Sequence, residues 1–411
     1  MGKARPFEIS KHLFVEAWKR VKANKGAAGS DGVTIEDFEK DVKNNLYKIW
    51  NRMSSGSYFP PPVRTKSIPK KKGGERKLGI PCVSDRVAQM VAKLVFEPEV
   101  ERIFHDDSYG YRPHRSALDA ITVTRERCWK YDWILEFDIK GLFDTIPSDL
   151  IMKAVKHHTQ ERWLILYVQR WLQASIVDEK GEMVPRRKGV PQGGVISPLL
   201  SNLFMHYAFD QWMKRTYPRL PICRYADDGL VHCRTEWEAQ EIRRALAERL
   251  RACGVELHPE KTRIVCCQPK NRKWTGEKKF DFLGYEFRPR LARTRKGRYF
   301  TAFTPGISPS SGKMIREKAK SMELWRHTQV TLKDIATFMN PVIQGWINYF
   351  GQYQRSLLQK TLRYINLQLI KWVKRKYRKQ GKYFKRAKIW LRNVYKYNPQ
   401  MFSHWRLGFI L

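Results

Sequence analysis

The sequence predicts an α+β protein whose C-terminal part becomes wholly helical, and three observations predict it. Strand-like and helix-like hydrophobic runs interleave up to about residue 305. From about residue 312 onward, helical periodicity alone continues. The 411 residues, 42% hydrophobic and 13% aromatic, suffice for two or three domains around a large core.

Taken in order, an amphipathic helix over about 8–24 leads into the loop Gly26-Ala27-Ala28-Gly29-Ser30-Asp31-Gly32. A helix capped by Thr34, with Asp37 in its first turn, follows. Pro60-Pro61-Pro62 closes the next helical piece, and residues 63–80 alternate as a hairpin with strands 63–69 and 77–80. Further helices are predicted at 84–103, 115–130, 148–175, 199–216 and 236–253. Further strands are predicted at 132–139, 182–188, 221–225, 230–234, 263–267 and 281–287. There is no internal repeat and no low-complexity segment.

Composition narrows the partner. Lys and Arg number 79 against 40 Asp and Glu, a formal net charge of +39, which calls for a polyanion. The excess is uneven: no acidic residue follows Asp334, while Lys371, Lys374, Arg375, Lys376, Arg378 and Lys379 crowd one stretch among Trp372, Tyr377 and Tyr383. Such a stretch suits phosphate contact with base stacking, or a solvated helix face whose aromatics pack inward. Seven cysteines without a Cys-x-x-Cys argue against a zinc finger or a disulfide framework. With no membrane-spanning run and no signal-peptide core, a soluble intracellular protein is expected.

Tyr225-Ala226-Asp227-Asp228, followed by Gly229, reads as a strand-turn-strand presenting two adjacent carboxylates. Such a pair is either a solvated turn or a cation site, because like charges repel unless something positive joins them. Asp138 ends the apolar run 133–139, where a charge is costly unless paired or metal-bound. Placed beside Asp227 and Asp228, it would complete a site for two Mg²⁺ ions roughly 3.5–4 Å apart, the arrangement used in phosphoryl transfer.

Two loops add to this. At the hairpin tip Lys70 to Arg76, Gly73-Gly74 allows close approach, and Lys70 and Arg76 suit phosphate oxygens; a plain exposed basic turn is the alternative. Gly189-Val190-Pro191-Gln192-Gly193-Gly194 is a thin turn on which a planar ligand can rest, with Gln192 offering an amide, before a helix starting near Pro198 and capped by Ser197.

Together these pieces resemble the intron-encoded reverse transcriptase/maturases of group II introns. The resemblance runs through Gly29 to Val33, Ile68-Pro69-Lys70, Arg76 to Pro81, Ser108 to Pro113, Asp138 to Asp144, Pro191 to Gly194, Tyr225 to Asp228, His258 to Thr262 and Phe282 to Tyr285, all in order. Residues 339–350, Met339 to Phe350, are similar to the maturase or X-domain signature; read from the residues alone, they are a helix starting at Pro341 with Ile343, Trp346, Ile347 and Phe350 as its core stripe.

The resemblance implies a right-hand polymerase: fingers and palm over 1–305 with an N-terminal extension 1–60, a helical thumb or X domain over 306–375, and a basic extension 376–411 without an endonuclease domain. It implies that Asp138, Asp227 and Asp228, with the Ile139 carbonyl, hold two Mg²⁺ ions, with Mn²⁺ as an alternative. Lys70 and Arg76 would bind the triphosphate, Phe143 would exclude a sugar 2′ hydroxyl, and Gln192 would line the nucleotide pocket. Lys261 would serve the leaving pyrophosphate, and Phe282, Leu283 and Gly284 would grip the primer. The implied partners are structured intron RNA, an RNA template with a DNA primer, dNTPs and target DNA, with a homodimer compatible and a bacterial cytoplasm expected. Two rivals are a related polymerase used in defence or repair and an RNA-binding splicing factor without polymerase activity; the three intact carboxylates argue against the second.

Overall fold

The structure is a computed structural model describing residues 6–69, 75–186, 188–268, 275–293, 296–377 and 383–408. Its mixture of helices and strands is the expected α+β class. The chain divides into two compact units, one formed by Met1–Ala120 with Leu135–Arg263, the other by Ile121–Ile134 with Ile264–Leu411.

The strands, in chain order, are β1 (Val63–Pro69), β2 (Glu75–Ile80), β3 (Trp133–Phe137), β4 (Ile176–Val177), β5 (Met183–Val184), β6 (Ile222–Tyr225), β7 (Asp228–Cys233), β8 (Arg263–Cys266), β9 (Phe280–Phe282), β10 (Tyr285–Arg293) and β11 (Tyr299–Ile307). They form sheets ordered β2-β1-β4-β5, β6-β7-β3-β8 and β11-β10-β9.

The first unit begins as expected. Helix Lys11–Ala23 buries Phe14, Ala17, Trp18 and Val21, spaced to line one face. The helix Ile35–Lys40 opens on a complete capping box between Thr34 and Asp37. Helix Val83–Glu101 is buried along much of its length, and its Asp85 accepts from Tyr58 at 2.9 Å, Trp171 at 2.8 Å and Gln89 at 2.8 Å.

Several boundaries differ from expectation. The long helix 148–175 is two, Ser148–His158 and Arg162–Gln173, because Thr159 turns extended and its hydroxyl takes the Glu161 N–H instead. The strand 182–188 shrinks to Met183–Val184, paired with Ile176–Val177. The helix before residue 206 starts at Ser197 with Ile196, not Ser197, as its N-cap, and continues through a π-helical turn His206–Asp210.

In the second unit, 281–287 is not one strand but β9, a two-residue turn and the start of β10. The turn at Leu283 and Gly284 has φ of 51° and 81°, the left-handed pair that a tight hairpin demands. Leucine is a poor signal for that conformation. Tertiary bonds hold it: Tyr349 donates to the Leu283 carbonyl at 2.8 Å and Ser311 to the Gly284 carbonyl at 2.9 Å. β11 adds a strand that the sequence analysis does not predict.

Pro341 does not begin a helix; it lies inside Leu332–Phe350, whose start is a capping box of Thr331 and Asp334. Ile343 and Phe350 are buried, whereas Trp346 and Ile347 are partly covered. Helices Pro309–Ser321, Arg355–Lys376 and Phe384–Tyr397 complete the helical region.

Candidate active site

Asp227 and Asp228 are placed by the β6–β7 hairpin, in which Tyr225 pairs with Asp228 across the turn Ala226-Asp227. Ala226 has φ of 57°, a conformation costly for a residue with a Cβ. The cost is met from below. Arg224, fully buried, donates to the Ala226 carbonyl at 3.0 Å, to Asn202 at 3.0 Å and to both oxygens of Asp210 at 2.8 and 2.6 Å. Asn202 in turn donates to the Gly110 carbonyl at 2.7 Å, and Tyr109 N–H donates to the Arg224 carbonyl at 2.8 Å. A Cβ on Gly110 would stand 2.5 Å from the Ala226 nitrogen, so that glycine lets the segment press under the turn. Gly229 is needed as well: a Cβ there would lie 2.1 Å from the Phe137 ring.

Asp138, just after β3, is 6% exposed and paired with the Lys261 ammonium. His258 N–H donates to the Asp138 carbonyl at 2.7 Å and Lys140 N–H to the Glu256 carbonyl at 2.8 Å, forming the bridge Ile139↔Leu257. That bridge uses the flanking groups, so the Ile139 carbonyl is aimed to its other side.

The electrostatics tie these residues together. The Asp228 carboxyl is pushed up to about 7, by surrounding protein atoms first and then by the charges of Asp227, Asp138 and Glu136, against Lys261. More than a third of Asp228 is open to water, which leaves the charges of the neighbouring carboxylates a large part in raising it. Lys261 is held above its ordinary range: partial burial works downward, but Asp138, Asp228 and Asp227 outweigh it. Among the described residues no three His, Cys, Asp or Glu side chains are gathered about one point. The donor chemistry nevertheless suits a hard divalent cation, since three carboxylates share one field and an ammonium already sits on one of them.

Of the nucleotide-pocket candidates, Phe143 and Gln192 are carried on segments that hydrogen-bond to one another. Gly141, at φ of 58°, starts the short helix Leu142–Thr145 that carries Phe143 and Asp144. Phe143 is buried, and its carbonyl accepts from Val190 N–H at 2.7 Å. Gln192 donates from its side chain to Asp144 at 3.1 Å and accepts Gly79 N–H on its carbonyl at 2.7 Å. Gly193, at φ of 119°, abuts Gly79, whose carbonyl oxygen a Cβ would meet at 2.2 Å. The hairpin strand β2 and the 189–194 loop are therefore seated on one another. Lys70 lies outside the described residues, as does the Arg76 side chain, although the Arg76 backbone pairs with Ile68.

Comparison with known proteins gives this arrangement a family. Residues 68–287 match the family described as reverse transcriptase (RNA-dependent DNA polymerase). The chain belongs to the reverse transcriptase family. Residues 313–390 of this reverse transcriptase match the group II intron, maturase-specific domain. It is 31% identical to protein YkfC of Escherichia coli over 61% of this chain and 75% of that one. It is 30% identical to the group II intron-encoded protein LtrA of Lactococcus lactis subsp. cremoris over 47% of this chain and 32% of that one. With the COX1/OXI3 intron 1 protein of Saccharomyces cerevisiae, identity is 27% over 64% of this chain and 38% of that one. The chain thus spans about a third of the length of the two intron proteins.

The remaining predicted residues of the reverse transcriptase fall in its second unit. Phe282 is buried, and Leu283 and Gly284 form the β9–β10 turn described above. Lys371, Lys374 and Arg375 are carried on helix Arg355–Lys376; Lys371 and Lys374 are exposed, and Arg375 lies over Trp325 at 4.8 Å. Lys376 is otherwise engaged, donating to the Val330 carbonyl and sitting 5.1 Å over Trp372. Arg378 and Lys379 lie outside the described residues. No helix among the described residues is long and apolar enough to cross a membrane.

Sequence reasoning missed Arg224, Asp210, Asn202 and Asp144. A signal existed for the first: a charge within the apolar strand Ile222-Cys223-Arg224 is as costly as one at Asp138 and needs a partner as much.

Proposed function

We propose that this protein is an RNA-directed DNA polymerase that also binds structured group II intron RNA to assist splicing and mobility. The observation that carries the reading is the shared field of Asp138, Asp227, Asp228 and Lys261, built on two strands and a buttressed turn. The maturase-specific match at 313–390, together with the names of the intron-encoded relatives, supports the RNA-binding half.

On this reading Asp138, Asp227, Asp228 and the Ile139 carbonyl would hold two Mg²⁺ ions, with Mn²⁺ as an alternative, and the bound cations would supply charge stabilisation for a primer 3′ hydroxyl and a departing pyrophosphate. Lys261 neutralises or protonates that pyrophosphate. Lys70 and Arg76 bind the triphosphate, Gln192 lines the base or sugar edge, and Phe143 excludes a 2′ hydroxyl. Phe282, Leu283 and Gly284 grip the primer, and Lys371, Lys374, Arg375, Arg378 and Lys379 contact nucleic-acid phosphates, while Lys376, expected among them, is engaged with the Val330 carbonyl. Fingers and palm occupy 1–305, the thumb 306–375 and a basic extension 376–411.

Asp227→Asn tests the centre. Extension of a DNA primer on an RNA template with Mg²⁺ should be abolished while RNA affinity persists; extension near the unmodified rate would remove the catalytic assignment.

A further inference from the structure

We propose that Asp144 is a positioning residue for the incoming nucleotide, acting through the side chain of Gln192. Asp144 has no role in the polymerase reading above, on which the inference rests and in which Gln192 lines the nucleotide pocket and Phe143 closes the 2′ side.

Backbone clamps bring the two residues together. Val190 N–H donates to the Phe143 carbonyl at 2.7 Å and Gly189 N–H to the Ile146 carbonyl at 2.8 Å, so the loop carrying Gln192 lies along the short helix carrying Asp144. Gly189 makes the approach possible. At its φ of 81°, a Cβ would stand 2.6 Å from the Phe143 carbonyl oxygen and 2.8 Å from the Asp144 carbonyl carbon. On the other side, Gly79 N–H donates to the Gln192 carbonyl at 2.7 Å and fixes the backbone from which the amide side chain projects.

With both backbones held, the Gln192 side-chain amide donates to an Asp144 carboxylate oxygen at 3.1 Å. That contact has a direction. An ionised carboxylate has lone pairs and no hydrogen, so it takes only the NH2 end of an amide. The acceptor end, Oε1, is thereby turned away from Asp144. An amide in place of Asp144 could meet either end, and the orientation would no longer be fixed. Burial pushes the Arg186 guanidinium down while the charge of Asp144 opposes it, so a cation stands in the field of this carboxylate. Asp144 itself is exposed, and folding alone does not require that its carboxylate be paired.

The orientation decides what Gln192 can recognise. The four bases differ in the donors on their edges, so one fixed acceptor cannot serve every nucleotide through the base. The sugar is common to all four. With Phe143 excluding a 2′ hydroxyl, the 3′ hydroxyl is the donor that a deoxynucleotide sugar retains, and it donates to Gln192 Oε1.

The test compares single-nucleotide kcat/KM for a dNTP and its 3′-deoxy analogue, with the full chain, Mg²⁺ and saturating primer-template. In Asp144→Ala the preference for the dNTP should fall about fivefold, the size expected for one lost hydrogen bond, while use of the analogue changes little. In a Gln192→Leu background, Asp144→Ala should add less than about twofold, because the two residues act as one unit. An unchanged preference, an equal loss for both nucleotides, or full additivity with Gln192→Leu would overturn the proposal. If Asp144→Ala melts early, Asp144→Asn decides, since it keeps the volume and loses the direction. Its preference should fall about twofold or more, and no change overturns the proposal. Extension by the unmodified protein with an unchanged preference in the variants removes this inference alone; no extension by the unmodified protein removes the polymerase reading as well.

Discussion

Arg224 donates to the carbonyl of Ala226 at 3.0 Å from a fully buried position, while Asp210 grips its other nitrogens. The ion pair thus braces the one left-handed residue of the turn bearing Asp227 and Asp228. Arg224→Met should cost about 3–5 kcal/mol by stranding Asp210, as breaking a buried pair does. Arg224→Lys keeps the charge but loses the fork. We expect it to lower kcat of primer extension more than it raises KM for nucleotide, with a smaller drop in melting temperature. Urea titration beside steady-state kinetics checks both.

Asp228 yields a pH prediction. Its carboxyl is raised from 3.8 to about 7, so its contribution to stability is fully present below about 4 and is lost as pH rises through about 7. Without divalent cation, the melting temperature of the unmodified protein should therefore fall relative to Asp228→Asn across that window. Added Mg²⁺ should narrow the difference near neutral pH, because cation binding favours the ionised carboxylate. Thermal melts in chelator and in Mg²⁺, at several pH values, measure it.

Phe143→Ala should raise ribonucleotide incorporation relative to deoxynucleotide by about tenfold or more if the ring limits the 2′ position. The side chain is buried, and truncation to Ala costs about 3–5 kcal/mol, so Phe143→Val is the gentler companion. Single-nucleotide kcat/KM for the two sugars is the readout. Unchanged discrimination in both variants would leave Phe143 as a core residue alone.

Gly193→Ala would force a Cβ to within 2.2 Å of the Gly79 carbonyl oxygen. The seat between β2 and the Gln192 loop must then open. Nucleotide KM should rise severalfold, while affinity for primer-template changes little. Titrating dNTP at saturating primer-template separates the two effects.

The basic helix splits into two kinds of residue. Lys371→Gln, Lys374→Gln and Arg375→Gln together should flatten the log–log salt dependence of RNA binding, by about 0.7 for each phosphate of a single strand that is no longer neutralised. Lys376→Gln should instead lower stability by about 1 kcal/mol, since its ammonium caps the Val330 carbonyl beside Trp372. Affinity at several salt concentrations and a melt of each variant distinguish them.

Much of this protein is legible in its sequence because the signals are local. The Thr34 capping box, the β1–β2 hairpin and the run of strand 133–137 follow from spacing within a few residues, whereas the Thr331 capping box is masked by Pro341, a more conspicuous but misleading start signal. Asp138, Asp227 and Asp228 stand out because a carboxylate beside apolar strands must have an electrostatic reason. Tertiary structure decided what depends on distant partners. Leu283 is left-handed because Tyr349 and Ser311 hold the turn's carbonyls, and Arg224 is tolerable because a π turn brings Asp210 beneath it. Gln192 meets Asp144 and Gly79 across separations that no local pattern encodes. A buried charge announces from sequence that it needs a partner; which residue answers is set by packing.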